Sequence, residues 1–107
     1  MKGRDIMFYT YPAIVHEGEG GGYWVEFVDF NAFTQGETLN EVMANAEEAM
    51  LCHIEDELKN GAVLPTPSDI RQIRREDNAF ATLIHAGIHS SASSRNFAMA
   101  RAAVAAK

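Results

Sequence analysis

A chain of 107 residues has room for one domain and one core, and at this size folding removes roughly 65% of the unfolded surface from water. An apolar fraction of 47% with 22% charged residues, and no apolar run near the roughly 18 residues that span a bilayer, exclude a disordered chain and a helical membrane protein. The net charge of −6 is divided unevenly: residues 1 to 58 hold twelve acidic and two basic side chains, residues 59 to 107 three acidic and seven basic, so the halves present opposite fields to different partners.

The first predicted element is a strand over Ile6 to His16, rich in aromatic and β-branched residues, with Pro12 marking an edge, a bulge or an imperfect pairing. EGEGGG (17–22) breaks it, and YWVEFV (23–28) supplies the second arm of a hairpin. In that arm Tyr23, Val25 and Phe27 alternate with Trp24, Glu26 and Val28, an apolar face against a mixed one, as in a sheet covered mainly on one side. A short third strand around Phe33 to Gln35 leads through Gly36 to a helix. Thr38 and Glu41 form a T-x-x-E capping box, in which the hydroxyl accepts from the Glu41 amide and the carboxylate reaches back to the Thr38 amide. Leu39, Val42, Met43, Ala46, Ala49, Met50, Ile54 and Leu58 form the apolar stripe, Glu41, Glu47, Glu48, Glu55 and Asp56 the solvated face, and Asn60-Gly61 the stop. AVLPTPSDI (62–70) predicts an extended connector without a helix, and RQIRRED a charged linker. AFATLIHA (79–86) reads as a fourth strand with Phe80, Thr82 and Ile84 on one face, broken by Gly87-Ile88-His89-Ser90-Ser91; SSRNFAMARAAVAAK has the residues of a C-terminal helix. The expected architecture is α+β: a three- to four-stranded sheet with one helix packed on it in the order β-β-β-α-β, filling residues 1–86, and a short helical tail at 87–107.

Little in the chain is equipped for catalysis. GEGGG lacks the cation and the following helix of a phosphate loop, and Glu17 and Glu19 repel a phosphate. Glu26, Asp29 and Glu47 are acids of the type that hold magnesium, but no spacing forces them together. His85 and His89 have a zinc spacing only on a helix, and they follow a predicted strand, where loop and surface histidines are expected. Cys52 and His53 are neighbours on a helix and point about 100° apart, so they are no nucleophile and base; His53 is expected in the half-buried stripe, and a single cysteine forms no internal disulfide. No cofactor is expected and no enzyme. MKGRDIMFYTYP lacks the apolar core of a secretion signal, so a cytoplasmic location is expected. An edge strand and an Ala-rich helix of marginal stability both favour a homo-oligomer.

The succession YPAIVHEGEGGGYWVEFVDF, FTQGETLNEVMANAEEAM, LPTPSDI and AFATLIHA, over about residues 9 to 85, resembles the HicB antitoxin family of bacterial and phage toxin–antitoxin modules. The resemblance implies a partial, degenerate ribonuclease-H-like domain without an active site. It also implies a partner, a small basic HicA-type toxin that cleaves mRNA and whose active site the antitoxin masks. Oppositely charged surfaces favour such an encounter. Glu26, Asp29, Glu47 and Glu48 are the residues expected to meet the toxin. The alternative function is an orphan binding or assembly module of the same fold. Two departures from the family pattern stand out: Phe30-Asn31-Ala32 replaces a proline- and glycine-containing turn after Asp29, and only a short segment follows the last strand, where many members carry a complete DNA-binding domain. Arg95 and Arg101 in that segment are expected to give at most weak, salt-sensitive contact with operator DNA.

Overall fold

A computed structural model of the chain describes residues 6–89. The expected C-terminal helix, with Arg95 and Arg101, lies outside the described residues. Within them the chain forms β1 (Ile6–Glu17), β2 (Tyr23–Phe27), β3 (Phe33–Gly36), α1 (Leu39–Lys59), a single 3₁₀ turn (Ile70–Gln72) and β4 (Ala79–His89). The four strands make one antiparallel sheet in the order β3-β2-β1-β4, with α1 across one face.

Period-two alternation divides the sheet. Tyr11, Ala13 and Val15 of β1, Val25 and Phe27 of β2, and Ile84 and Ile88 of β4 face the helix and bury together with Val42, Ala46, Ala49, Met50 and Ile54 of α1. Each larger member of this cluster, fully covered, contributes about 1.5–3 kcal/mol of transfer free energy. The other face carries Phe8, Trp24, Val28, Phe33 and Leu83, all well exposed. Pro12 sits in a central strand without breaking it. Its carbonyl accepts from Val28 N (3.4 Å), so its missing N–H points toward β2, and the β1–β2 ladder begins only at Ala13 opposite Phe27. No ladder bond is lost there, while pairing of β1 with β4 continues through Pro12 and Leu83.

The hairpin loop closes by Gly18 N donating to Gly22 O (2.9 Å), with Gly21 and Gly22 at φ of 100° and 75°. At the far end of β2, Phe30 anchors the segment that departs from the family turn. Its ring stacks on Phe27 (4.8 Å) and on His53 of α1 (4.4 Å) and meets Tyr11 edge-on (5.0 Å).

The start of α1 is capped at Thr38, whose hydroxyl accepts from Glu41 N at 3.0 Å. The reciprocal half of the box differs from expectation: the Glu41 carboxylate accepts from Glu37 N (2.7 Å), one residue farther upstream than Thr38. The stop is a Schellman closure in which Ala62 N donates to Glu57 O (2.9 Å) and Gly61 N to Leu58 O (3.1 Å), Gly61 taking φ of 75°. Between these ends the predicted stripe is buried in its middle only. Leu39 and Leu58 are 43% and 45% exposed because the 21-residue helix overhangs the sheet, while Leu51 and Cys52, outside the stripe, are buried.

The connector after α1 is extended until its 3₁₀ turn. Tyr11 Oη donates to Pro65 O (2.6 Å), and Ser68 donates from both N (2.9 Å) and Oγ (2.5 Å) to the Asp29 carboxylate. The fourth strand does not break at Gly87 as the sequence suggests; it runs on to His89, paired with β1 back to Ile6. Gly87 is there for space, since a Cβ would lie 2.8 Å from Ile6 Cγ2 and 2.9 Å from Phe8 Cε1. The Phe8 ring reaches across the glycine to stack on His85 (5.3 Å).

Candidate interaction surface

No Lys or Arg occurs between residues 6 and 58, so the first three strands, the hairpin loop and all of α1 before Lys59 carry no fixed positive charge. The fold gathers part of this acidic tract at one end of the molecule. Gly22 of the hairpin loop lies against Gly36 and Glu37, close enough that a Cβ on Gly22 would meet Gly36 O at 3.0 Å. Gly36 itself touches the first turn of α1, where a Cβ would stand 2.7 Å from Val42 N. Two glycine approaches therefore bring loop, strand and helix start together. Between them is an open groove of about 640 Å³, lined among others by Tyr23, Trp24, Phe33, Gln35, Glu37 and Asn45. Asn45 Nδ2 donates to Gln35 O at 2.9 Å and ties the helix to the outer edge of β3. The groove joins aromatic surface to carboxylates, with Glu17 and Glu19 on the adjoining loop. Such a surface accepts the aliphatic stems and charged heads of lysine and arginine.

The acids expected to meet a partner are not gathered into one patch. Glu26 is on the face of the sheet away from the helix and is engaged: its Oε2 lies 2.7 Å from His16 Nε2, and the His16 ring stacks on Trp24 at 4.0 Å. Asp29 is held by Ser68 at the end of β2. Glu47 and Glu48 project from α1 on the opposite side of the sheet, Glu47 exposed and Glu48 half-buried. Three groups thus occupy two faces. The residues that the sequence did not single out as a site, Trp24, Phe33 and Glu37, share the groove because β2, β3 and the helix start converge there. The only local sign was the pair of glycine-containing turns, GEGGG and TQGE, flanking one short hairpin.

The other candidates for chemistry dissolve in the same geometry. Among the described residues no three His, Cys, Asp or Glu side chains stand close enough to hold a metal ion. His85 and His89 are strand residues rather than loop residues, on one face of β4 about 13 Å apart along the chain, too far for one zinc. His85 Nδ1 instead lies 2.6 Å from Thr10 Oγ1. Cys52 is buried, and His53 is spent on Phe30 and on Glu57 (3.8 Å). Burial, then the Asp29 charge and Tyr9, push the Tyr11 phenol above its ordinary value of 10.0. Arg71, hydrogen-bonded to Asp69 through side chain and backbone, holds the Asp69 carboxyl below the usual carboxylate range. Both are structural pairings. Among the described residues no helix is long and apolar enough to cross a membrane.

The model of the HicB-like antitoxins of bacterial toxin–antitoxin systems matches residues 11–105. The chain belongs to the HicB-like antitoxin family. Antitoxin HicB of Escherichia coli K12 is 38% identical over 61 residues, which make up 56% of this chain and 44% of that protein; antitoxin HicB of E. coli O157:H7 matches to the same extent. The alignment therefore spans less than half the length of these relatives. Among solved structures, a chain of a toxin–antitoxin complex from Streptococcus pneumoniae superposes with a TM-score of 0.68 at 27% identity, covering 74% of this chain and 69% of its own. A chain of the HicA3–HicB3 toxin–antitoxin complex superposes at 0.58 and 26% identity, covering 70% and 94%. The described sheet and helix are thus the HicB-like fold, and the residues that carried the sequence resemblance are the ones that build it.

Proposed function

We propose that this HicB-like chain is a non-enzymatic antitoxin that binds and masks a small basic HicA-type ribonuclease in the cytoplasm. The family match over residues 11–105 carries the proposal, and the neighbouring folds from two toxin–antitoxin complexes support it. The surface of the first three strands and of α1 before Lys59, which has no Lys or Arg, is suited to an RNA-binding protein, whose own charge must be positive where it meets phosphate. The groove at the hairpin–helix junction, with Trp24, Phe33 and Glu37, is the place where apolar area and negative charge coincide, and it is the first contact surface in this scheme. Glu26, Asp29, Glu47 and Glu48 lie outside this groove on two faces and contribute to toxin binding through the wider negative field, the exposed Glu47 chiefly by steering encounter. Arg95 and Arg101 add at most weak, salt-sensitive contacts to operator DNA.

Co-purification and an RNA-cleavage assay with the toxin encoded beside this chain test the proposal. A stable complex and lost cleavage are expected; no complex and undiminished cleavage would overturn it. Replacing Glu37 by Lys is expected to weaken the complex by about tenfold, roughly one charge pair at a partly desolvated contact. Operator binding that stays tight at physiological salt would refute the assignment of Arg95 and Arg101.

A further inference from the structure

The groove at the hairpin–helix junction holds a polar group that the fold leaves unused. Thr34 lines it and is only 3% exposed, and its backbone is committed to the ladder with Val25. Its hydroxyl has no hydrogen-bond partner among the described residues. Buried hydroxyls are as a rule paired, because an unpaired one has lost its water without compensation.

The other walls have a definite chemistry. Trp24 and Phe33 belong to the open face of the sheet and Thr34 to the face turned to the helix, so the groove runs round the short β3 from one side to the other. The His16 ring covers Trp24 from the β1 side at 4.0 Å, which leaves the indole face toward β3 to border the groove. Phe33 is 50% exposed beside it. On the helix side stand the exposed carboxylates of Glu37 and Glu41. Glu41 Oε1 accepts from Glu37 N at 2.7 Å; Glu41 Oε2 and the Glu37 carboxylate have no partner among the described residues. No lysine or arginine lines the groove. The start of α1 contributes only about half a positive charge, so the carboxylates set the sign.

We infer that this groove is a binding site for a small organic cation, an aliphatic di- or polyamine. One ammonium lies on the free face of Trp24, the methylene stem follows Phe33 round the strand, and the second ammonium donates to Thr34 Oγ1 and to Glu37 or Glu41. The two ends of the groove, one aromatic and one acidic, call for an elongated ligand with separated charges. An anion is repelled there, and a neutral apolar molecule strips water from the carboxylates while leaving Thr34 unpaired. An added peptide strand is excluded by the four-residue length of β3 and by Asn45, which already occupies the Gln35 carbonyl. The volume of about 640 Å³ is that of a small-molecule site. The inference shares this groove with the proposed toxin contact, so an amine seated in it competes with the basic partner.

Titration of the intact protein with putrescine and spermidine, toxin absent, tests the site directly, because Trp24 is the sole tryptophan and its fluorescence reports on the groove. Saturation with a midpoint below about 1 mM is expected, with no saturable response to 1,4-butanediol or to sodium chloride at matched ionic strength. Calorimetry on Glu37→Gln is expected to show binding weakened by about tenfold. Thr34→Val is expected to weaken it by about fivefold while the melting temperature holds or rises, since the hydroxyl it removes has no partner to lose. A response that does not saturate by about 10 mM, undiminished binding in both variants, or amide shifts as large at Glu47 and Asp56 as around the groove would each overturn the inference. The toxin complex separates it from the proposed function. There the amine response is expected to fall by about tenfold or more. A complex that still binds amine unchanged refutes the groove as toxin contact and upholds the amine site; a toxin-binding chain that never responds to amine does the reverse.

Discussion

Single residues in this molecule matter mostly for the space or the bond they supply to two elements at once. Gly36 is the clearest instance, because any side chain there meets the backbone of Val42, which has no rotamer to yield. Gly36→Ala is expected to cost about 1–3 kcal/mol, seen as a lower urea midpoint with an unchanged slope. Tyr11 joins β1 to the connector through Pro65, and Tyr11→Phe is expected to lose about 1 kcal/mol near neutral pH. Its raised phenol pKa has a further consequence for alkaline stability. Below 10.0 the phenol is neutral in both folded and unfolded chains; above it the unfolded chain releases the proton first, so stability falls as pH rises through the folded pKa. Urea melts from pH 8 upward are therefore expected to show a decline beginning at about pH 10. Part of that decline should vanish in Tyr11→Phe.

At the scale of elements, α1 and β4 show how far local signals reach. The helix was legible at both ends, since Thr38 caps it and Gly61 closes it, although the Glu41 carboxylate turned to Glu37 instead of Thr38. Gly61→Ala is expected to destabilise the protein by about 1 kcal/mol through its left-handed backbone, measurable by thermal melting. Which part of the apolar stripe is buried was not legible. Leu39 and Leu58 have the right spacing but lie beyond the sheet, whose width is set by other elements. β4 shows the opposite case: Gly87 reads as a breaker in isolation, yet it is a strand residue because Phe8, 79 positions earlier, needs the room across the pair. A local rule that assigns glycine to a turn has no access to that ring.

For the whole molecule the decisive property is the separation of surfaces: an acidic end and helix face, an open sheet face of mixed aromatic and polar side chains, and an uncharged edge. Association with a basic partner is accordingly expected to slow by roughly tenfold or more between low and high salt, as screening shortens the reach of the field. Stopped-flow binding at several ionic strengths checks this. Lysine at both Glu47 and Glu48 should flatten that dependence while leaving the melting temperature nearly unchanged, because Glu47 is exposed and neither carboxylate is needed by the core.

The sequence by itself determined the order of elements, the apolar face of β2, the two helix ends and the family, because alternation, capping and motif order are local. Only the tertiary structure decided where the acids lie relative to one another. Glu26 and Glu47 are both acids of one tract, yet the sheet stands between them, since one belongs to the mixed face of β2 and the other to a helix packed on its apolar face. The groove around Trp24, Phe33 and Glu37, and the bare outer edge of β4, likewise arise from contacts between segments distant in sequence, where spacing along the chain carries no information.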